Sequence, residues 1–384
     1  MEYFLRRIAR HLYSQYGNSL HNHCLVFPNR RAGLFFKKYL AEEIARPVWT
    51  PAVMTVNDLF RSFSKLQQAE NEILIFELYN SYKKVSKQVE SFDDFYFWGD
   101  MLLNDFDDVD KYLSDALTLF RNISDLKKID QEFGGLTPEQ VEIIRRFWTN
   151  IDPGKLTREK SGFLNIWSIL YDLYVDFRDS LKSRNIAYEG MIFRDVAESY
   201  VDGIISGLQW ETLHFAGFNA LNRCETTLLT ALKKAGKGRF YWDYDESYIS
   251  GGRFSSAGYF IRENIAVFGN DMPGDWNYNT FLSRETAGIN RRIINTSSDM
   301  AQVKLIPGLI SKLPGFESEN AHETAVILAD ETLLIPFLSS LPENSGNINI
   351  TMGFPLRHTA VYAFIRRIME MQVRARSENG TILF

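Results

Sequence analysis

The chain has 384 residues, with 43 lysines and arginines against 48 aspartates and glutamates, a formal net charge of −5. Hydrophobic residues make up 45% and charged residues 24%, a globular balance that excludes a disordered chain, a collagen-like fibre and a small disulfide scaffold. This length accommodates two or three domains. Because the net charge is mildly negative, any nucleic-acid site must be a local basic patch.

Two cysteines are present, Cys24 and Cys224, and they lie far apart in the sequence. Two thiols are too few for a four-cysteine zinc or iron–sulfur site. They predict reduced core thiols in a cytoplasmic protein. The sequence contains no run of about 18 apolar residues, so we expect neither a membrane-spanning helix nor a membrane partner.

The first part of the chain predicts a parallel sheet. Residues 24–27 form a continuous apolar run ended by Pro28, the pattern of a strand buried on both faces. Residues 30–45 follow with helical spacing. A second strand over residues 52–56 then precedes another helix, with Thr55 or Asn57 as its N-cap.

Long helical patterns dominate residues 71–203, and we expect a helical insertion there. In residues 161–183, large apolar side chains recur every three or four positions, as on a buried helix face.

Strands and helices alternate again in the last part of the chain, which favours α/β layers. Further strands are predicted at 213–217, 239–244, 291–296, 324–328 and 347–352. Helices are predicted at 223–234, 331–341 and 355–373. The apolar end of the chain, residues 381–384, suggests a cut made inside a longer protein.

No catalytic pattern emerges from the motifs. The phosphate-binding loop Gly-x-x-x-x-Gly-Lys-Ser/Thr is absent, and residues 235–239 predict only a helix C-cap and a turn. Acidic clusters at 105–110 and 243–246 are possible metal ligands, although a solvated helix face is the default interpretation of the first. The triplet 125–127 has the letters of a PD-(D/E)xK nuclease but lies in a helical pattern. His21 and His23 lack a third ligand. We expect no metal, no cofactor and no catalytic residue.

Basic residues form three local patches, and the first is the best placed. Asn29, Arg30 and Arg31 follow a buried strand and open a helix. In a parallel sheet this is the carboxyl end of a strand, where ligands bind, and helix N-termini attract phosphate. The other two patches lie at residues 233–239 and 366–376, and a solvated face is the commoner explanation of such runs.

Six segments occur in a recurring order that resembles a known family. They are LVFPNRRAGLFFKKYLAEE (25–43), PAVMTVNDLF (51–60), LHFAGFNALNRCETTLLTAL (213–232), RFYWDYDESY (239–248), ETAVILADETLLIPFLSSLP (323–342) and NITMGFPLRHTAVYAFI (349–365). They are similar to the amino-terminal, helicase-like half of AddB-type subunits of AddAB/RecBCD helicase–nucleases. Bacteroidetes-type members of that group carry a PD-(D/E)xK nuclease domain at the carboxyl end, which would lie beyond residue 384 here.

This resemblance implies a RecA-like, superfamily 1 helicase-like α/β fold with a large all-helical insertion. The first RecA-like domain would comprise residues 1–70 and 204–315, with residues 71–203 as the insertion. Residues 320–384 would begin a second, incomplete RecA-like domain. The DNA-contacting motifs would fall on the residues Asn29, Arg30, Arg31, Thr55, Asn57 and Phe60.

The departures from an active motor imply a scaffold. The phosphate-binding lysine is missing, and the strand that usually ends in Asp-Glu ends here in Ala216-Gly217. Ala329-Asp330 stands where an active helicase has an arginine at the end of a strand. The lysine, the acidic pair and the arginine, which stabilise charge in phosphoryl transfer, are therefore absent together.

We therefore expect a non-motor, DNA-binding scaffold of a double-strand-break-repair exonuclease. Its partners would be single-stranded or duplex-end DNA and an AddA-like subunit. One alternative is a protein-interaction scaffold that holds a nuclease to an AddA-like motor without binding DNA itself. A further alternative is an unorthodox DNA-dependent ATPase.

Overall fold

A computed structural model of the chain describes residues 3–44, 46–86, 89–120, 156–199, 201–250, 256–278, 292–313, 324–342 and 348–375. The chain divides into two compact units, residues 1–287 and residues 288–384. No helix among the described residues is long and apolar enough to cross a membrane.

The first unit contains a four-stranded sheet in which every strand is parallel to its neighbours. The strands of the unit are β1 (His23–Phe27), β2 (Ala52–Thr55), the two-residue β3 (Gln67–Gln68) and β4 (Ile186–Ala187), β5 (Thr212–Ala216) and β6 (Gly238–Tyr241). Their order in the large sheet is β2-β1-β5-β6, while β3 and β4 pair separately. All residues of β1 are buried, as the apolar run predicts. The prediction of an α/β fold with a parallel sheet is confirmed.

Helices cover both faces of this sheet. On one face, α1 (Phe4–Tyr16) and α2 (Arg30–Glu43) pack against Leu25 and Phe27. On the other face, α3 (Val56–Phe63) and α9 (Arg223–Lys234) belong to the core that contains Cys24 and Val26. The two faces follow from the alternation of side chains along a strand.

The outer edge of β6 is occupied by a neighbouring loop. Asp271 N donates to the Phe240 carbonyl at 2.7 Å, and Phe240 N donates to Asp271 Oδ2 at 2.7 Å. Trp242 N donates to Asn270 Oδ1 at 3.1 Å. These bonds satisfy backbone groups at the outer edge of β6, where free groups could otherwise pair with a strand of another chain.

A helical block lies between β2 and β5 in the sequence. Its helices are α4 (Asn71–Val85), α5 (Phe92–Lys111), α6 (Leu156–Ser183), α7 (Glu189–Ser199) and α8 (Val201–Ser206). The predicted helical stripe is buried at Leu170, Leu173, Tyr174, Phe177 and Leu181, and its earlier side chains lie outside the described residues. The core of the block is continuous with the core on the α9 face of the sheet.

A buried carboxylate, Asp110 of α5, joins this helix to α6 and α7. It accepts hydrogen bonds from Tyr174 and Tyr188, and Arg194 Nη1 lies 3.0 Å from Asp110 Oδ1. Arg178 Nη1 lies 3.5 Å from the same oxygen. Burial, with the negative charge of Asp110, raises the pKa of both tyrosines, which therefore remain protonated donors. The expectation of a solvated acidic face is wrong for Asp110, which is fully buried.

Replacing Asp110 with asparagine should destabilise the first unit by about 3–5 kcal/mol, because two mostly buried guanidinium groups lose their counter-charge. Urea unfolding measures this loss. Asp108→Asn, two residues earlier and exposed, is the matched control and should stay within about 0.5 kcal/mol of the wild type. Equal effects of the two substitutions would contradict the structural role assigned to Asp110.

A row of buried aromatic side chains crosses the α1 face of the sheet. His214 Nδ1 lies 3.0 Å from Tyr241 Oη, and its Nε2 lies 3.4 Å from His23 Nδ1. The Tyr16 ring packs on His23 with centroids 3.8 Å apart. Burial, followed by the neighbouring charges of His23 and Arg239, lowers the pKa of His214 to about 3. At neutral pH both imidazoles are uncharged, because burial also lowers the pKa of His23.

The buried His214 should make the first unit sensitive to acid. In the unfolded chain a histidine binds a proton near pH 6.5, but folded His214 does so only near pH 3. Stability should therefore fall as pH drops through this window, by roughly 1.4 kcal/mol per pH unit. Unfolding free energies across this range should show a shallower slope for His214→Gln. The exposed His21 provides the control substitution His21→Gln, which should keep the wild-type slope.

The first unit also has α10 (Glu246–Ser250) and α11 (Tyr259–Phe268), and the second unit contains α12 (Asp299–Ile310), α13 (Leu334–Ser340) and α14 (Ala360–Ala375). Val303, Ile310 and Phe337 form its small core, so α12 packs with residues that follow it in the chain. The strands predicted at 291–296, 324–328 and 347–352 are not formed in their described parts. Ile293 and Ile327 are 101% and 90% exposed. An apolar run becomes a strand only where a neighbour pairs with its backbone, and the described residues provide none.

Candidate functional site

The carboxyl edge of the sheet between β1 and β5 is here named the crevice, after the position at which open α/β sheets bind ligands. The chain passes from β1 to β2 on one side and from β5 to β6 on the other, so the strand order reverses there. Open α/β sheets bind ligands outside the carboxyl ends of the strands at such a point. Gly217 directly follows β5 with φ +78, and a Cβ added to it would lie 4.0 Å from Pro28 Cδ. The loops after β1 and β5 are therefore adjacent.

On the β1 side, the crevice is bounded by the first turn of α2. Asn29 has extended backbone angles, and its side chain accepts a hydrogen bond from Ala32 N at 3.0 Å. It therefore caps α2 and satisfies one of the free amides at the helix start. The close approach of α2 to the sheet depends on Gly33, where a Cβ would lie 2.8 Å from Val53 Cγ1. The cap at Asn29 and the close packing at Gly33 together fix the position of the first turn of α2, which carries Arg30 and Arg31.

Arg30 and Arg31 are the exposed positive charges of this turn. Within the described part of the chain, neither has a carboxylate within 4.0 Å of its guanidinium nitrogens. Burial opposes ionisation of Asp58, but hydrogen bonds from Thr55 and the charges of Arg30 and Arg61 lower its pKa. Asp58 therefore remains ionised near Arg30 without neutralising it by direct contact. Two free guanidinium groups beside a helix N-terminus form an electrostatic environment that favours an anion.

The other predicted contacts, Thr55, Asn57 and Phe60, are engaged within the protein. Thr55 caps α3, since Asp58 N donates to Thr55 Oγ1 at 3.2 Å. Asn57 Nδ2 donates to Glu189 Oε2 at 2.8 Å.

Phe60 is fully buried and stacks on Phe193, with centroids 3.9 Å apart. A buried ring has no face to offer a nucleobase, so Phe60 is left out of the interface. Its role is to join α3 to the helical block.

Arg223 is a further exposed arginine that the motif search did not identify. It occupies the first position of α9, which follows β5 and begins on the other face of the sheet. Asn222 caps α9, with Glu225 N donating to Asn222 Oδ1 at 2.8 Å. The same dipeptide, Asn-Arg, therefore opens both helices that flank the crevice. That repeated pattern after a buried strand is a signal available in the sequence.

Acidic groups at the β6 end of this edge are held in local contacts. Asp243 accepts a hydrogen bond from Trp276 Nε1 at 3.3 Å, and burial raises its pKa. Asp245 accepts from the Ser247 hydroxyl at 2.6 Å. Positive charge therefore concentrates at β1 and β5, and negative charge follows β6.

The first acidic cluster does not converge into a metal site in the described residues. Asp107 pairs with Lys111 at 2.7 Å, and Asp110 is bound by arginines. Burial, followed by the charge of Asp108, raises the pKa of Asp105 to about 6. The nuclease-like triplet at 125–127 lies outside the described residues.

No protein-family model matches this chain, and no curated protein matches it.

Asn29→Ala should cost about 1 kcal/mol of stability, because the first turn of α2 loses its side-chain cap. Asn29→Asp keeps a capping oxygen and should stay close to the wild type. Urea unfolding midpoints measure both. If alanine and aspartate are equally destabilising, the side chain acts through something other than the cap.

Proposed function

We propose that this chain is the non-motor, helicase-like, DNA-binding scaffold of an AddB-type subunit of a double-strand-break-repair exonuclease. The observation that carries the proposal is the pair of exposed arginines, Arg30 and Arg31, at the strand-order reversal, which pair with no carboxylate among the described residues. A RecA-like arrangement is part of the proposal. The parallel sheet with helices on both faces is consistent with it.

The site suits the backbone of DNA better than a base. Guanidinium groups bind phosphate oxygens in a bidentate fork, and the amides of a helix start add fixed donors. Arg30 and Arg31 bound one side of the crevice and Arg223 the other. Because Phe60 is buried, α3 offers no ring on which a base could stack. The proposed contacts are therefore to the phosphates of the DNA backbone. Such contacts position DNA without reading its sequence.

Hydrolysis of ATP is not part of the proposed function. Transfer of a phosphoryl group needs groups that hold the metal and neutralise the developing charge. Ala216 and Gly217 stand at the end of β5 and just after it, where a motor has an acidic pair. In the proposed assembly, an AddA-like partner supplies the motor, and cleavage belongs to a nuclease domain outside these residues.

Arg30→Ala combined with Arg31→Ala should weaken binding of a fluorescent oligothymidylate at low salt. The slope of log affinity against log salt should become less steep by about 1.4, because about 0.7 is lost for each phosphate contact with a single strand. Fluorescence anisotropy over a salt series measures both quantities. The matched control is Lys37→Ala with Lys38→Ala, which removes the same charge from exposed positions further along α2.

The control pair should change affinity much less than the arginine pair. Arg223→Ala should weaken binding further in the arginine variant if both sides of the crevice contact the strand. Absence of oligothymidylate binding by the wild type at low salt would refute the proposal. DNA-stimulated ATP hydrolysis by the purified chain would favour the unorthodox ATPase instead.

A further inference from the structure

A cluster of apolar side chains lies exposed on the outer side of α4 and α5. Ile73 and Phe76 are 47% and 54% exposed, and Tyr96 is 49% exposed. Phe92 is half-buried between them. The rings of Phe76 and Phe92 stack with centroids 4.5 Å apart, and Phe92 contacts Tyr96 at 6.1 Å. These three rings, with Ile73 three residues before Phe76 on the same helix, form the surface here named the aromatic patch.

The core of the helix pair does not require this patch. The inward faces of α4 and α5 are already filled by Leu74, Leu78, Phe95 and Leu102, all of them buried. The outward face of a helix in a globular protein normally carries polar residues. Single exposed apolar residues are ordinary, but a contiguous cluster rimmed by polar groups is typical of an interaction surface.

The rim of the aromatic patch is acidic. Glu72 and Asp93 are exposed beside it, and half-buried Asp100 accepts a hydrogen bond from Asn71 Nδ2 at 3.1 Å. Neither residues 71–82 nor residues 89–110 contain a lysine or an arginine. Such a surface repels the phosphates of nucleic acid and attracts cations. The faces of its aromatic rings favour a cation as well.

We infer that the aromatic patch binds a protein segment with an apolar or aromatic anchor flanked by lysines or arginines. The anchor buries against Phe76, Phe92 and Tyr96, and the flanking cations meet Glu72 and Asp93. An aromatic cluster supplies most of the binding energy in interfaces of this kind, while complementary charge sets partner choice and association rate. This surface is separate from the arginines at the sheet edge, so its occupant and DNA are bound by different residues.

The test uses the whole chain and two synthetic helical peptides that share one leucine and tryptophan stripe. One peptide has lysines on both sides of the stripe, and the other has glutamates. Each peptide carries a fluorescent label, and the anisotropy of that label reports binding. The lysine peptide should bind, and added salt should lower its affinity. Phe76→Ala with Tyr96→Ala should reduce that affinity about tenfold or more. Tyr259→Ala, at an exposed ring of α11 (Tyr259–Phe268), is the control and should not change it.

A charge swap makes the test independent of any loss of apolar area. Glu72→Lys with Asp93→Lys should weaken binding of the lysine peptide and strengthen binding of the glutamate peptide. Circular dichroism checks that each variant folds. The inference is overturned if neither peptide binds the wild type, or if both bind equally. Loss of oligothymidylate binding in the patch variants would make the surface part of the DNA site. Self-association that these variants abolish would make the occupant a second copy.

Discussion

The buried carboxylate of Asp110 is the constraint on which the first unit depends. Its ligands come from α6 and α7 and from the residue before α7, and Cys224 of α9 donates to its main-chain oxygen at 3.3 Å. A buried charge is tolerated only when its partners are in place, so this one specifies a single arrangement of the helices. α7 in turn positions α3 through the Phe193–Phe60 stack. The carboxyl edge of β2 is thereby held relative to the helical block.

Charge is segregated on the surface of the first unit. The exposed residues Arg30, Arg31 and Arg223 stand at the first turns of the helices that follow β1 and β5. Acidic groups follow β6 and surround the aromatic patch on α4 and α5. The net charge of −5 is an average over these regions. The proposed DNA-binding edge and the proposed partner surface therefore carry opposite charge, and like-charge repulsion would keep the wrong partner from each.

The strands of the large sheet were predictable from the sequence, but most contacts between distant segments of the chain were not. The four strands of the large sheet and the helix Arg223–Lys234 follow from local patterns of apolar residues and caps. The strands predicted after residue 290 are not formed in the described residues. Strand formation depends on a neighbouring strand, which an apolar run does not specify. Among the candidate DNA contacts, Arg30 and Arg31 are exposed. Their position in the first turn of a helix that follows a buried strand already implied this. Phe60 is buried because α7 packs against it, and nothing near residue 60 encodes that.

By itself the sequence determined which residues stand at helix starts and strand ends, because caps and apolar periodicity act over a few residues. It thereby placed Arg30 and Arg31 at an edge of a parallel sheet. Only the tertiary structure decided that Arg223 shares this edge, that Asp110 is buried and that the rings of α4 and α5 remain exposed. Periodicity marks a face as apolar, but which element covers that face, if any, depends on packing between segments far apart in the chain.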